Sequence, residues 1–439
     1  MNRKQVLTHA RTLLLAAALV ATWGTGLPVA LAQSGPDDPW ATTPAPPDAE
    51  TPSLTSVDAD LRLRARQTTR LHGLPAGLDD VREGAFHRVR LGASFQREDL
   101  SAYLQLQSAG AMGDAGPDDE PLTVGLQQGW LRWDPQGWRG LRVTAGRMAL
   151  EFGAGRQIGR YDYHEIGHAF DGVDIGWTVG RYLDLHLLAV QIRRDAAQPE
   201  QERRLTGLYA TGLPTDRLRS DVYVLYVEDG RGGEAAQLLT MGLRLDARPV
   251  RGLTTEGEAA VQVGELRPVG VEPVDHLAVM AAARLAYEAV VGVPMALTLH
   301  AQFWSGDGES TDQVSSAWRP LYGSLDEQVG LLQLFPMTNL GTGGLRYRLG
   351  ELSRPHGEVD ARMFTSRQDA PIPGALVPPQ GGGRWPVLGS EVDVLLHWPW
   401  TPSAELLIAT GVFMPARPLR DALDRRTGGQ VTAQWRSRF

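Results

Sequence analysis

The stretch VTAQWRSRF, residues 431–439, alternates along its whole length. Val431, Ala433, Trp435 and Phe439 fall on one side with Ser437, and Thr432, Gln434, Arg436 and Arg438 fall on the other. A period of two gives an extended strand one apolar face and one wet face. Termini of soluble domains usually fray, whereas a closed membrane barrel needs its last strand to pair with its first. The stretch therefore predicts the closing strand of a transmembrane barrel.

The same alternation recurs along the chain. VDADLRLRARQTT, residues 57–69, gathers Arg62, Arg64 and Arg66 on one face, which a helix would scatter around its axis. HRVRLGASF, LTMGLRLDAR and GSEVDVLLHW repeat the pattern. DHLAVMAAARLAYEAV looks like a helix former, yet Leu277, Val279, Ala281, Ala283, Leu285 and Tyr287 also alternate, predicting a lipid-facing strand. Eighteen candidate strands result (16–20 allowing for boundaries), from 57–69 to 429–439, with long links alternating with short ones such as QRED, VGRY and SRPH. Short turns on the periplasmic side and long loops outside are the signature of an outer-membrane barrel. The fold class is thus all-β, a transmembrane antiparallel β-barrel over 57–439 that is wide enough for an aqueous channel. A secreted β-sandwich or solenoid would explain the alternation but not the rhythm of the links.

Composition narrows the function. There is no cysteine, so disulfides, Cys-based zinc sites and thiol nucleophiles are excluded. Lys4 is the one lysine, and arginine carries almost all the positive charge. A net charge of -8 leaves no global basic footprint for nucleic acid. Residues 1–32 read as a secretory signal peptide: Arg3, Lys4 and Arg11 precede an apolar core, and Ala30-Leu31-Ala32 forms a cleavage site. Its removal leaves a mature chain near -11. Residues 33–56 hold six prolines and predict a flexible periplasmic arm. The expected surroundings are outer-membrane lipid and lipopolysaccharide, around a monomer.

No catalytic frame is recognisable, so the chain reads as a non-enzyme without a cofactor. HEIGH, residues 164–168, has the spacing of a zinc motif in His164, Glu165 and His168. That motif needs a helix, and here a glycine sits in a loop-to-strand transition. The informative segment is instead GRMALEFGAGRQIGRYDYHEIGHAFDGVDIGW, residues 146–177. It interleaves glycines with Arg147, Glu151, Arg156, Arg160, Asp162 and Asp171, predicting a compact charged loop that folds toward the lumen. Arg147 and Glu151, four apart on an expected strand 141–151, are expected to pair. Parity adds Arg62, Arg64, Arg66, Arg88, Arg90, Arg244, Arg284, Arg346, Arg348, Arg362 and Arg436 to the lumen, partly neutralised by acids such as Asp60, Asp174, Glu256, Glu258 and Asp393. The segment reads equally as an ion-paired constriction and as an eyelet for anionic or sugar solutes.

The block GR-x-x-L-x-FG-x-x-R-x-x-G leading into FDGV at 170–173 resembles the alginate-export family of outer-membrane barrels. FWSGDGES with WRPLYGSLDEQ, and the strand pair at 389–415, are similar to that family too. The resemblance implies an eighteen-stranded barrel with an arginine-rich pore for an anionic polysaccharide, assisted by a periplasmic secretion apparatus. It also implies pore-lining roles for Arg147, Arg156 and Arg160, with Asp171 as counter-charge. Tyr163-His164 and His168 depart from the family's pattern before FDG, which removes one fixed positive charge. Trp435 and Phe439 resemble the terminal signal read by the barrel-assembly machinery. A passive porin for small anionic or sugar solutes is the alternative reading.

Overall fold

The computed structural model describes residues 56–69, 81–113, 123–192, 203–230, 234–268, 270, 272–307, 313–324, 328–366, 387–417, 419–420 and 427–439. The leader expected at 1–32 and the arm expected at 33–56 lie outside them, except Ser56, which opens the first strand.

β1 (Ser56–Thr69), β2 (Val81–Arg97), β3 (Leu100–Gly113), β4 (Thr123–Trp133), β5 (Leu141–Met148) and β6 (Phe170–Val179) are successive antiparallel neighbours. β7 (Leu183–Ile192), β8 (Arg203–Thr215), β9 (Leu218–Asp229), β10 (Glu234–Val250), β11 (Leu253–Pro268), β12 (Val274–Val291) and β13 (Val293–Trp304) continue the order. β14 is a two-residue strand, Val314–Ser315, that pairs in parallel with β12 inside a loop and is no part of the wall. β15 (Leu340–Leu349), β16 (His356–Thr365), β17 (Val387–Thr401), β18 (Ala404–Pro415) and β19 (Gly428–Arg438) complete the wall. β19 then pairs with β1, with Leu63 opposite Trp435, and an antiparallel barrel of eighteen strands is closed.

The faces are inverted relative to a soluble protein. Along β1, Arg62 is 2% exposed while neighbouring Leu63 is 47% exposed. Leu91, Leu104, Leu187, Leu299 and Ile408 lie on the exposed side of their strands in the same way. In β12, Val279, Leu285 and Tyr287 point outward, while His276, Ala278, Met280 and Ala282 are buried. Alternation of this kind gives lipid an apolar surface and keeps charge inside.

The links follow the expected rhythm. Glu98 and Asp99 suffice between β2 and β3, and Gly292 alone joins β12 to β13. At the other end, residues 149–169 and 305–339 make long excursions. Trp133, Trp177, Trp398, Trp400 and Trp435 lie at the short-turn end of their strands and Trp138 in the turn between β4 and β5; Trp400 and Trp435 meet edge to face at 6.1 Å. Amphipathic rings favour that membrane interface.

The seam is completed by the last residue. The Ala59 N–H donates to the Phe439 carbonyl at 3.0 Å, and the Phe439 N–H donates to the Ala59 carbonyl at 2.9 Å. Each such bond contributes about 1 kcal/mol net, at the point where an open edge would be most exposed. Deleting Phe439 is therefore expected to lower the yield of heat-modifiable barrel in outer-membrane fractions. An unchanged yield would show that the seam tolerates the loss.

Candidate functional site

β5 stops at Met148, three residues short of the expected end, and the chain turns into the lumen. Glu151 therefore does not pair with Arg147, because the two no longer share a strand. Arg147 instead grips Asp171 of β6 through Nε and Nη2 at 2.7 and 2.8 Å, and Glu151 sits 3.7 Å from Arg160. Register also revises the position of the first pair. Thr144 and Met148 are buried on the inner side of β5, so Arg147 falls with Ala145 on the outer side. Asp171 likewise falls with Ile175 and Trp177, on the outer side of β6. The Arg147–Asp171 bridge belongs to the outer wall rather than the pore.

Inside, loop 149–169 spans the barrel. Near its start, Arg156 is buried and donates through Nη1 to Glu256 at 2.5 Å and to Glu258 at 2.8 Å, both on β11. Tyr223 also donates to Glu258, at 2.8 Å. Farther on, Glu165 accepts from Arg62 at 2.6 Å and from Arg64 at 2.8 Å, both on β1. Asp162 accepts from Arg88 at 2.9 Å and Arg90 at 2.8 Å on β2, and lies 3.0 Å from Arg436 on β19. The arginines hold the loop's backbone as well: Arg64 reaches the Tyr163 carbonyl at 2.9 Å and Arg90 reaches that of Ile166 at 3.0 Å. β2 and β11 are nine wall strands apart in either direction, so the loop crosses a diameter. Its basic end meets an acidic wall and its acidic end meets a basic wall.

HEIGH thus acts as an anchor. Its Glu165 carries the arginine contacts, while the rings of His164 and His168 pack on Tyr161 at 5.3 Å. The charge of the motif is legible in the sequence, but its partners, a hundred residues upstream, are set by barrel closure. The Arg64 guanidinium also lies 4.3 Å from the Tyr163 ring centre, a favourable cation–π arrangement.

The described parts of the second excursion, 305–307, 313–324 and 328–339, are held inside the barrel by different means. Trp318, Leu321, Tyr322, Val329, Leu332, Phe335 and Met337 are buried in one apolar cluster with wall residues that include Phe364, Leu388 and Phe413, on which Phe335 packs, and Phe170, on which Tyr322 packs. Burying seven large apolar side chains is worth on the order of ten kcal/mol. Polar contacts supplement this packing: the Leu332 N–H donates to Glu391 at 3.1 Å and the Leu331 N–H to Asp393 at 3.2 Å. Gly330 has φ +96, and a Cβ there would lie 2.4 Å from the Glu391 carboxylate, so only glycine permits this approach. The loops touch each other where Gly159 donates to the Tyr322 carbonyl at 2.9 Å and Tyr161 donates to Gln333 at 2.6 Å.

The other expected pore residues divide by neighbourhood. Arg244 is buried and paired with Asp221 and Asp246, each at 2.8 Å. Arg346 and Arg348 face inward and meet Asp360 at 2.9 Å and Glu288 at 3.0 Å. Asp174, expected in the lumen, holds His186 at 2.9 Å, and Asp184 holds the opposite ring nitrogen at 3.1 Å; parity did not single out His186 or Asp184. Arg284 shares the inner face of β12 with Ala282 and Ala286, yet is exposed, as are Arg160 and Glu151.

Burial pushes the Asp162 carboxyl up, but Arg88, Arg90 and Arg436 outweigh it and hold the group well below the usual carboxylate range. Burial likewise opposes, and Arg64 and Arg62 overcome, in lowering Glu165. A depressed carboxylate stabilises the folded loop above its unfolded pKa, and that contribution is lost as pH falls through the folded value. Channel conductance is therefore expected to stay constant from pH 8 to 5 and to rise only below about pH 4, where ordinary carboxylates begin to protonate. Bilayer recordings across that range check this. Arg156→Met leaves buried Glu256 only Arg244, 3.4 Å away, and buried Glu258 only the Tyr223 hydroxyl, and is expected to cost about 3 kcal/mol, read as a lower unfolding temperature in detergent.

The barrel resembles OpdK from Pseudomonas aeruginosa with a TM-score of 0.58 at 13% identity, covering 88% of this chain and 99% of that one. A structure of Pseudomonas aeruginosa OpdK with vanillate gives 0.57 at 14% identity, over 88% of this chain and 98% of that one. The outer membrane protein OprD from the same organism gives 0.53 at 11% identity, covering 88% and 93%. At such identities the likeness is one of fold. No curated protein matches the sequence. The family profile described as alginate export, however, matches residues 56–433, nearly the entire barrel. The chain is a bacterial outer-membrane β-barrel channel and belongs to the alginate-export family.

Proposed function

We propose that this channel exports an anionic polysaccharide, alginate-like or another exopolysaccharide, in concert with a periplasmic secretion apparatus. The observation that carries the reading is the basic wall of Arg62, Arg64, Arg88, Arg90 and Arg436, five guanidinium groups converging on two loop carboxylates. Guanidinium forks match carboxylates in shape and stay charged at any working pH. Membership of the alginate-export family points the same way. Transport is driven from elsewhere, since the chain has no nucleotide-binding motif. Lipopolysaccharide around the barrel, delivery by the barrel-assembly machinery and a monomeric state belong to the same proposal.

A second reading, passive uptake of small anionic or sugar solutes, is favoured by how fully the two loops occupy the lumen. A relative in fold, OpdK, has been crystallised with the small carboxylate vanillate. A clean deletion strain separates the two. Loss of secreted or surface polysaccharide is the expected result. Intact secretion with poorer growth on dilute small acids or sugars would put the porin reading in its place.

A further inference from the structure

The two lumenal loops are held by opposite kinds of force. Loop 305–339 is packed through seven buried apolar side chains, which no solute in water can replace. The distal part of loop 149–169 differs. Tyr163, His164, Glu165, Ile166 and His168 are only half-buried, and what fastens them to the wall is mostly arginine. Arg62 and Arg88 are almost fully buried, at 2% and 0% exposure, and the Nε of each lacks a hydrogen-bond partner. Asp60 is the wall's own acid among these groups, bonding Arg88 at 3.3 Å and Arg436 at 2.6 Å. Five arginines against Asp60 alone would be an uncompensated buried positive charge, which is costly. The wall thus requires carboxylates from some other source.

We infer that Asp162 and Glu165 are intramolecular stand-ins for solute carboxylates. Their two seats, Arg88–Arg90–Arg436 and Arg62–Arg64, are carboxylate-binding subsites that an acidic sugar chain takes over, releasing segment 160–168 from the wall. The exchange replaces like with like at the wall: each arginine gives up one carboxylate and gains another, and the displaced Asp162 and Glu165 carboxylates pass into water. Arg156 keeps the proximal end of the loop fixed on Glu256 and Glu258, so the released segment moves as a flap. Loop 305–339 stays in place throughout. The inference rests on the anionic-solute reading and adds to it the site of entry and the element that yields.

The chain has no native cysteine, so Ile166→Cys introduces a unique thiol on the flap. Its alkylation rate is measured in the purified full-length barrel, with sodium chloride added to match the ionic strength that oligogalacturonate contributes. The additions are oligogalacturonate, a neutral maltodextrin of the same length, or sodium chloride. Oligogalacturonate is expected to speed alkylation roughly tenfold or more, within the ordinary range of coupling between sites, while maltodextrin and chloride leave it unchanged. Adding Asp162→Asn and Glu165→Gln to the same background is expected to give the fast rate without any sugar. Fast alkylation in that variant but no response of the parent to oligogalacturonate would overturn the inference, because the seats would then serve only to hold the loop. Equal acceleration by maltodextrin would overturn it as well. Neither outcome depends on secretion in cells, so failure here is distinct from failure of the export reading.

Discussion

In hydrocarbon, every backbone N–H and C=O must find a partner within the protein, because no water is present to supply one. The pairing of β19 with β1, carried to the final residue, meets that demand and leaves the wall without an edge. The rest of the architecture follows from it. Once the wall is closed, each strand has one face in lipid and one in the lumen, and the alternation of the sequence decides what goes where. Arg62, Arg64 and Arg66 of β1 and Arg88 and Arg90 of β2 fall on the inward face. The interior must then balance a dense positive charge at one place on the wall and a dense negative charge opposite, on β11.

Loop 149–169 satisfies both at once, and its order of charges matters. Arg156 comes first and faces the acidic wall; Asp162 and Glu165 follow and face the basic one. Reversing that order would set like charges against each other on both sides. The two ends differ in strength. Arg156 and its two glutamates are all nearly inaccessible to water, whereas the Asp162 and Glu165 side chains are 35% and 13% exposed. Water screens exposed ion pairs strongly and buried ones weakly. The distal end is accordingly the one that yields to a competing solute.

The wall itself was legible in the sequence because it rests on a local rule. A period of two, repeated with long and short links in turn, found the number of strands and the outward face of β12. What local rules could not supply was the end of β5. The expected strand 141–151 rested on continued alternation through Glu151, but Met148 packs inward against Phe170 and the chain leaves the wall there. That early exit moved the partner of Arg147 from Glu151 to Asp171. Parity then put Arg147 and Asp171 outside, although a charged pair suggests a lumen. The role of Glu165 was hidden for a different reason. Its spacing from two histidines is that of a zinc motif which the loop setting rules against, and its actual partners lie a hundred residues away and become neighbours only on closure.

These differences have a common cause. Sequence patterns report on forces that act between residues near one another along the chain, such as pleat, turn and capping. The lumen is organised by forces between residues that closure brings together, above all charge in a cavity with little water. Residues of one sign collected by alternation on one face are a local fact; the residue that neutralises them can come from any link long enough to reach. Two links in this barrel are that long and fully or largely described, and each carries what its portion of wall lacks: charge for β1, β2, β11 and β19, and apolar bulk for β16 to β18. The composition of a long loop in such a barrel therefore reflects the inner face it covers, and reading the two together indicates which loop is fixed packing and which is held by charges that a solute can replace.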